Sequence, residues 1–261
     1  MKKYINIESK LIPIAFQVAL ILLWQFLADR GNIPKYILPS PKDIIVSLFS
    51  ILPSISGHLY TTLEEAVIGF AVAIVLSVVI AVLMDNYRVV RKSLYPILVV
   101  SQTIPVIALA PLFMVWFGFG ITPKIVAVIL VCFFPVAVSL LDGLESVDRD
   151  MINLLKSMGA TKFQIFRYVK FPGALTGFFS GLRIAATYSI MGAIIGEWLG
   201  GEKGLGVYMI RVKHSFALDK MFAVILIIVV LSMALFGFIY MIQRLATPWD
   251  KKEKYKGELE E

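Results

Sequence analysis

Charged residues make up only 16% of this 261-residue sequence, against 59% in the hydrophobic class. A soluble domain carries about 25% charge, so an aqueous globular fold is excluded and lipid is the implied solvent. Cysteine is reduced to Cys132, set in an apolar run, which leaves neither a disulfide framework nor a thiol cluster for a metal. The two histidines, His58 and His214, have no companions at ligand spacing, and neither a metal nor a cofactor is expected. The chain lacks the glycine-rich loop ending in Gly-Lys-Ser/Thr, so it has no phosphate loop of its own. No nucleophile with its base, and no ligand set, stands at membrane depth to suggest an intramembrane hydrolase. No internal repeat is visible, which counts against a secondary carrier built from inverted halves. The net charge of +7 does not mark a nucleic-acid binder, because the basic residues lie in short segments flanking apolar runs, where positive charge orients membrane proteins.

Apolar runs are what the chain has in abundance. Crossing about 30 Å of hydrocarbon takes about 20 helical residues, with 17 at the short limit. Six runs qualify: Ile12 to Ala28, Ala66 to Met84, Leu94 to Phe117, Ile125 to Leu141, Phe178 to Leu199 and Phe222 to Ile242. The first has no small-residue cleavage site, so it is read as a retained span and not a signal peptide. Residues 1–11, 85–93, 142–177 and 243–261 together hold 16 Lys/Arg, and the alternate segments 29–65, 118–124 and 200–221 hold eight. This bias places both termini in the cytoplasm. The expected organisation is a cytoplasmic N-terminus (1–11), a first span (12–28), an external segment (29–65), a five-helix core (66–242) with a cytoplasmic loop at 142–177, and a cytoplasmic tail (243–261). Leu38-Pro39-Ser40-Pro41 predicts an extended or turn element, followed by a short interfacial helix over 41–52. The charged tail from Asp250 to Glu261 is expected to be disordered.

The loop from Asp142 to Gly177 is long and helically patterned, and such a loop must bury its apolar side on something. A first helix from about Asp150 to Met158 presents Met151, Leu154, Leu155 and Met158 as one stripe. Gly159 suits a helix C-terminus. Thr161 and Gln164 have capping-box spacing, and Phe163, Phe166 and Val169 form a second stripe until Pro172 ends it. Helices of about ten residues are marginal alone. The pattern fits docking onto a protein and an interfacial helix on lipid headgroups equally well.

These residues carry a resemblance to the permeases of binding-protein-dependent ABC importers. The signature of that family is Glu-Ala-Ala, three residues, Gly, nine residues, Ile, one residue, Leu-Pro. With its glycine on Gly159, the isoleucine falls on Val169 and Leu-Pro on Phe171-Pro172, while Glu-Ala-Ala falls on Asn153, Leu154 and Leu155, a departure from the pattern. Leu38-Pro39-Ser40-Pro41, Pro105, Ala108-Leu109-Ala110-Pro111-Leu112, Trp116-Phe117-Gly118, Gly181-Leu182-Arg183 and Gly204-Leu205-Gly206 look like elements of its nitrate, sulfonate, taurine and thiamine-precursor branch. The resemblance implies an all-α, six-span, MetI-like type I importer permease fold in a bacterial inner membrane. It implies three partners: a cytoplasmic ABC ATPase dimer, an external solute-binding protein and a second permease copy, as a homodimer. ATP hydrolysis would belong to the ATPase, so this chain is not expected to be an enzyme. The residues implied for ATPase coupling are Asn153, Leu154, Leu155, Met158, Gly159, Ala160, Phe163 and Pro172. Ser101-Gln102-Thr103-Ile104-Pro105 and Glu197-Trp198-Leu199-Gly200-Gly201 look closest to permeases for a thiamine-precursor pyrimidine, with aliphatic sulfonate, taurine, nitrate and riboflavin as alternatives.

Within the spans, Gln102, Thr103 and Pro105 are candidates for the pathway, because proline-broken backbone at membrane depth survives only against protein or water. A kinked helix that never meets solute is the alternative. Arg183 and Glu197 are candidate pathway or gate residues, since intramembrane charge is costly. They are 14 residues apart on one face, separated by about 21 Å of rise, and cannot pair with each other. Arg183 also suits snorkelling and Glu197 the holding of a loop. An ion-coupled carrier would need more acidic groups at depth than Glu197.

Overall fold

The computed structural model describes residues 7–30 and 34–249, and among these the chain is helical without strands. In order the helices are α1 (Ile7–Arg30), α2 (Pro41–Asn86), α3 (Arg88–Ser101), α4 (Val106–Phe117), α5 (Thr122–Glu145), α6 (Arg149–Ser157), α7 (Lys162–Ile165), α8 (Phe171–Gly200), α9 (Leu205–His214) and α10 (Leu218–Ala246). Five of the described helices are long and apolar enough to cross a membrane, or six spans if α3 and α4, bent by 104° at their junction, are counted as one. Lys2, Lys3 and the tail from Asp250 to Glu261, for which disorder was expected, lie outside the described residues.

The chain divides into two compact units. One comprises residues 1–57 with 208–227. Over Ile12–Arg30 its α1 has no fully buried residue, and Trp24, half-buried, is set 6.0 Å from the Phe222 ring of α10. Ser40 and Pro41 start α2, the Ser40 hydroxyl accepting from the Asp43 amide at 3.2 Å while proline takes the first helical position, where its missing N–H costs nothing. Asp43 also accepts from Lys35 Nζ at 2.8 Å, and this bond raises the Lys35 ammonium above its ordinary pKa. The helix then runs without a break for 46 residues. The separate interfacial helix expected at 41–52 is therefore corrected: no cap interrupts the pattern, and Pro53 and Gly57 are absorbed inside the helix. At about 69 Å, α2 is more than twice the apolar thickness of a bilayer.

The second unit comprises residues 58–207 and 228–261, and its core is the α5–α8 pair. Buried Val128, Cys132 and Val136 of α5 meet Ala185, Ala186, Ile190 and Ala193 of α8 in one apolar cluster. Small residues allow this contact. A Cβ on Gly181 would stand 2.6 Å from the Pro135 carbonyl oxygen, and one on Gly196 would stand 2.8 Å from Lys124 Cα. Lipid tails are as apolar as leucine, so close backbone approach is what favours helix pairing in a membrane.

The third span over 94–117 is two helices, broken where its prolines predict irregular backbone, because Gln102 to Ile104 form an i→i+3-bonded turn that Pro105 cannot continue as α-helix. One further expectation is corrected. Pro172 does not end the second loop helix. Phe166–Lys170 form a π-helical turn in which the Phe171 amide reaches the Phe166 carbonyl, and Pro172 sits in the first turn of α8. The wider turn accommodates a proline that has no N–H to donate.

Candidate functional site

The loop between α5 and α8 forms one sharply defined corner. Asp148 caps α6 by accepting from the Asp150 amide at 2.8 Å. At the other end Gly159 adopts φ +81°. The Ala160 amide returns to the Leu155 carbonyl at 3.0 Å and the Gly159 amide to Lys156 at 3.0 Å, which is the Schellman arrangement. Thr161 then opens α7 with the full capping box: its amide donates to Gln164 Oε1 at 2.7 Å and its hydroxyl accepts from the Gln164 amide at 3.3 Å. Two capping motifs thus meet with no residue between them.

This corner presents apolar side chains outward. Met151, Leu154 and Met158 of the α6 segment are 52%, 60% and 74% exposed, and Phe163 of α7 is 68% exposed. Asn153, Gly159 and Phe171 are exposed, while Leu155, Ala160 and Phe166 are half-buried. Ile165, which the sequence reading did not single out, is the residue that faces inward. Of the expected coupling residues, all but Pro172 thus cluster on the α6–α7 corner, and Pro172 lies beyond it at the start of α8.

Gln102, Thr103 and Pro105 are all exposed at the α3–α4 bend. Thr103 Oγ1 donates to the Val100 carbonyl at 2.7 Å, which satisfies one carbonyl of the last α3 turn.

Arg183 and Glu197 are placed differently from each other. Arg183 hydrogen-bonds Gln243 of α10, reaches Ser180 Oγ at 3.2 Å, and lies 5.9 Å from the Phe236 ring centroid. Glu197 is 1% exposed. Its Oε1 accepts from Thr62 Oγ1 at 2.5 Å and its Oε2 from the Gly206 amide at 2.5 Å. The Leu205 amide donates to Thr62 at 2.8 Å, and His58 Nδ1 lies 2.9 Å from the Gly204 carbonyl. Glu197 therefore pins the Gly204–Gly206 segment to α2. Any side chain at Gly204 would collide with that carboxylate, a Cβ there standing 2.1 Å from its Cδ. This segment opens α9 and is not only the tight turn read from its glycines.

Sequence reasoning missed a buried charge pair close to Glu197. Lys124 Nζ of α5 lies 2.6 Å from Glu65 Oε1 of α2, both side chains being almost fully buried. The available signal was the spacing Thr62, Glu65, Ala66, Gly69 and Ala73, a small and polar face at helical period. Among the described residues no group of three or more His, Cys, Asp or Glu is placed to hold a metal.

Residues 73–247 match the family model described as binding-protein-dependent transport system inner membrane component. The formylaminopyrimidine transport permease of Halalkalibacterium halodurans is 40% identical over 242 residues, covering 92% of this chain and 96% of that protein. The riboflavin transport system permease of Chloroflexus aurantiacus is 29% identical, covering 92% and 90%. An inward-facing structure of the MetNI methionine ABC transporter shares the fold, with a TM-score of 0.59, 21% identity, and coverage of 80% of this chain and 99% of that one. The chain belongs to the inner membrane components of binding-protein-dependent transport systems, as a permease of an ABC importer.

Proposed function

We propose that the α6–α7 corner is where a cytoplasmic ABC ATPase grips this permease, and that the chain passes a thiamine-precursor pyrimidine handed over by an external binding protein. The observation that carries the first part is the outward ridge of Met151, Leu154, Met158 and Phe163 on a corner whose backbone is already fully capped. Contiguous apolar surface on a rigid support is the mark of a protein contact. The same reading puts both termini in the cytoplasm, because the basic segments lie on the side of this loop. ATP hydrolysis then resides in the partner. A second permease copy is supported by the α3–α4 bend: irregular backbone at membrane depth needs protein or a water path beside it, and Gln102, Thr103 and Pro105 are exposed on the single chain. In the dimer they would line the path.

The pyrimidine assignment is supported by the 40% identical formylaminopyrimidine permease. Aliphatic sulfonate, taurine, nitrate and riboflavin are the competing solutes. Two measurements test the proposal. Met158→Glu with Leu154→Glu is expected to abolish retention of the ATPase and ATP-driven uptake, with the unfolding midpoint of the permease unchanged. Retained ATPase would overturn the docking assignment. Uptake in proteoliposomes with the cognate binding protein is expected for a formylaminopyrimidine, and transport of taurine or riboflavin in its place would overturn the solute assignment.

A further inference from the structure

Behind the α6–α7 corner lies an open cavity of about 750 Å³, lined by the end of α2, the start of α3, the end of α5, and α6 and α7. Six cations line it: Arg88, Arg91, Arg149, Lys156, Lys162 and Lys170. Only two carboxylates oppose them, Asp85 and Glu145, and both are already engaged. Asp85 lies 2.6 Å from Lys170 Nζ, and Glu145 accepts from Arg91 at 2.7 Å. Arg88, Arg149, Lys156 and Lys162 enter no ion pair among the described residues, so the cavity holds a surplus of positive charge. A concave cluster of like charges focuses the field on an anion.

The anion's character follows from what adjoins the cavity. A second hollow of about 530 Å³ shares Arg88 and Arg91 and adds Lys92, Tyr95 and Pro96. Arg88, Arg91 and Lys92 stand at i, i+3 and i+4, so they occupy one face of α3. On the same face, seven residues on from Lys92, Val99 is 44% exposed. A soluble anion would use the cations alone. A phospholipid would use the guanidinium groups for its phosphate, Tyr95 at the level of its glycerol, and Val99 beyond it for the start of an acyl chain.

We propose that this cavity seats the phosphate of an anionic phospholipid, which bridges the base of α3 to the α6–α7 corner. The lipid offsets part of the surplus positive charge and ties the corner to the helical core. Its effect on transport rests on the docking role assigned to that corner, whereas its binding does not.

The test places the full-length chain in nanodiscs of phosphatidylcholine with phosphatidylglycerol and counts retained lipid by native mass spectrometry. Wild-type protein is expected to retain phosphatidylglycerol preferentially. Arg88→Gln with Lys162→Gln is expected to lose about tenfold or more of that preference, at about fivefold per cation, while Lys203→Gln, at the opposite end of α8, keeps it. If the first pair lowers yield, Arg149→Gln with Lys156→Gln repeats the measurement on α6. An unchanged preference in these double variants, or an equal loss in Lys203→Gln, overturns the proposal. Inorganic phosphate titrated onto the detergent-solubilised chain is expected to leave its unfolding midpoint unmoved; a shift lost in the double variant would assign the site to a soluble anion instead. A double variant that loses ATPase retention in discs of pure phosphatidylcholine would show that the cations meet protein, and that too overturns it. Failure of the docking role has a separate signature, since wild-type protein would then retain no ATPase in any lipid while its phosphatidylglycerol preference persisted.

Discussion

Glu197 makes its contribution through geometry, since both carboxylate oxygens are committed to Thr62 and Gly206. Glu197→Ala strips each of these donors of its partner in a buried setting, at about 1–3 kcal/mol apiece. Thermal unfolding of the solubilised chain is expected to register the loss, with faster proteolysis at the segment from Gly201 to Gly204. Lys124→Met is expected to cost about 3–5 kcal/mol, because it leaves Glu65 as an uncompensated buried charge. Adding Glu65→Leu should recover most of that loss, and a cycle of unfolding measurements on the single and double variants gives the coupling. Arg183 and Glu197 were legible in the sequence because a charge inside an apolar run stands out. Glu65 and Lys124 were not, because each lies at the edge of an uncharged run, where charge is ordinarily taken for solvated loop. They are buried because α2 and α5 continue as helix past their apolar stretches and pack against α8.

Among the elements, the α6–α7 corner was the most readable, since its stop and start signals are short-range. Gly159 and the Thr161–Gln164 box act over three or four residues, and both appear where their chemistry places them. Gly159→Ala tests the corner cleanly. Nothing lies within 4 Å of the position its Cβ would take, so the cost is backbone strain alone, about 1–2 kcal/mol at positive φ. Amide exchange at Ala160 is expected to quicken by about five- to thirtyfold, with the rest of the chain unaffected. Gly181→Leu acts by the opposite route, forcing bulk against the Pro135 carbonyl; overpacking of this kind costs about 1–3 kcal/mol and should lower the unfolding midpoint. Prolines were read less well than glycines. Pro172 was taken as a stop, although the break at Pro105 was foreseen. Whether a proline breaks, bends or is absorbed depends on whether neighbouring carbonyls find other donors, and for Pro172 the i→i+5 turn supplies that answer.

For the molecule as a whole, the five long spans were found by counting apolar residues, because the thickness of hydrocarbon is a fixed ruler, and the bent α3–α4 pair makes six when counted as one. The lengths of the helices did not follow, since helix persists into water wherever its hydrogen bonds remain internal. The 46 residues of α2 and the 30 of α8 show this. Substituting the exposed ridge should therefore separate assembly from folding: Phe163→Glu is expected to weaken ATPase retention in pull-down while leaving the permease's unfolding midpoint within experimental error.

One long α8 has a mechanical corollary. It begins directly after the π-helical turn that follows the capped corner and ends three residues beyond Glu197, with no proline after Pro172, so a single rod of about 45 Å joins the neighbourhood of that corner to the Glu197 contacts. Close glycine contacts at Gly181 and Gly196, about 22 Å apart along the helix, fix this rod to α5 over half its length. A push delivered at one end would reach the other as displacement of α5 and α8 together, with no intervening hinge to dissipate it.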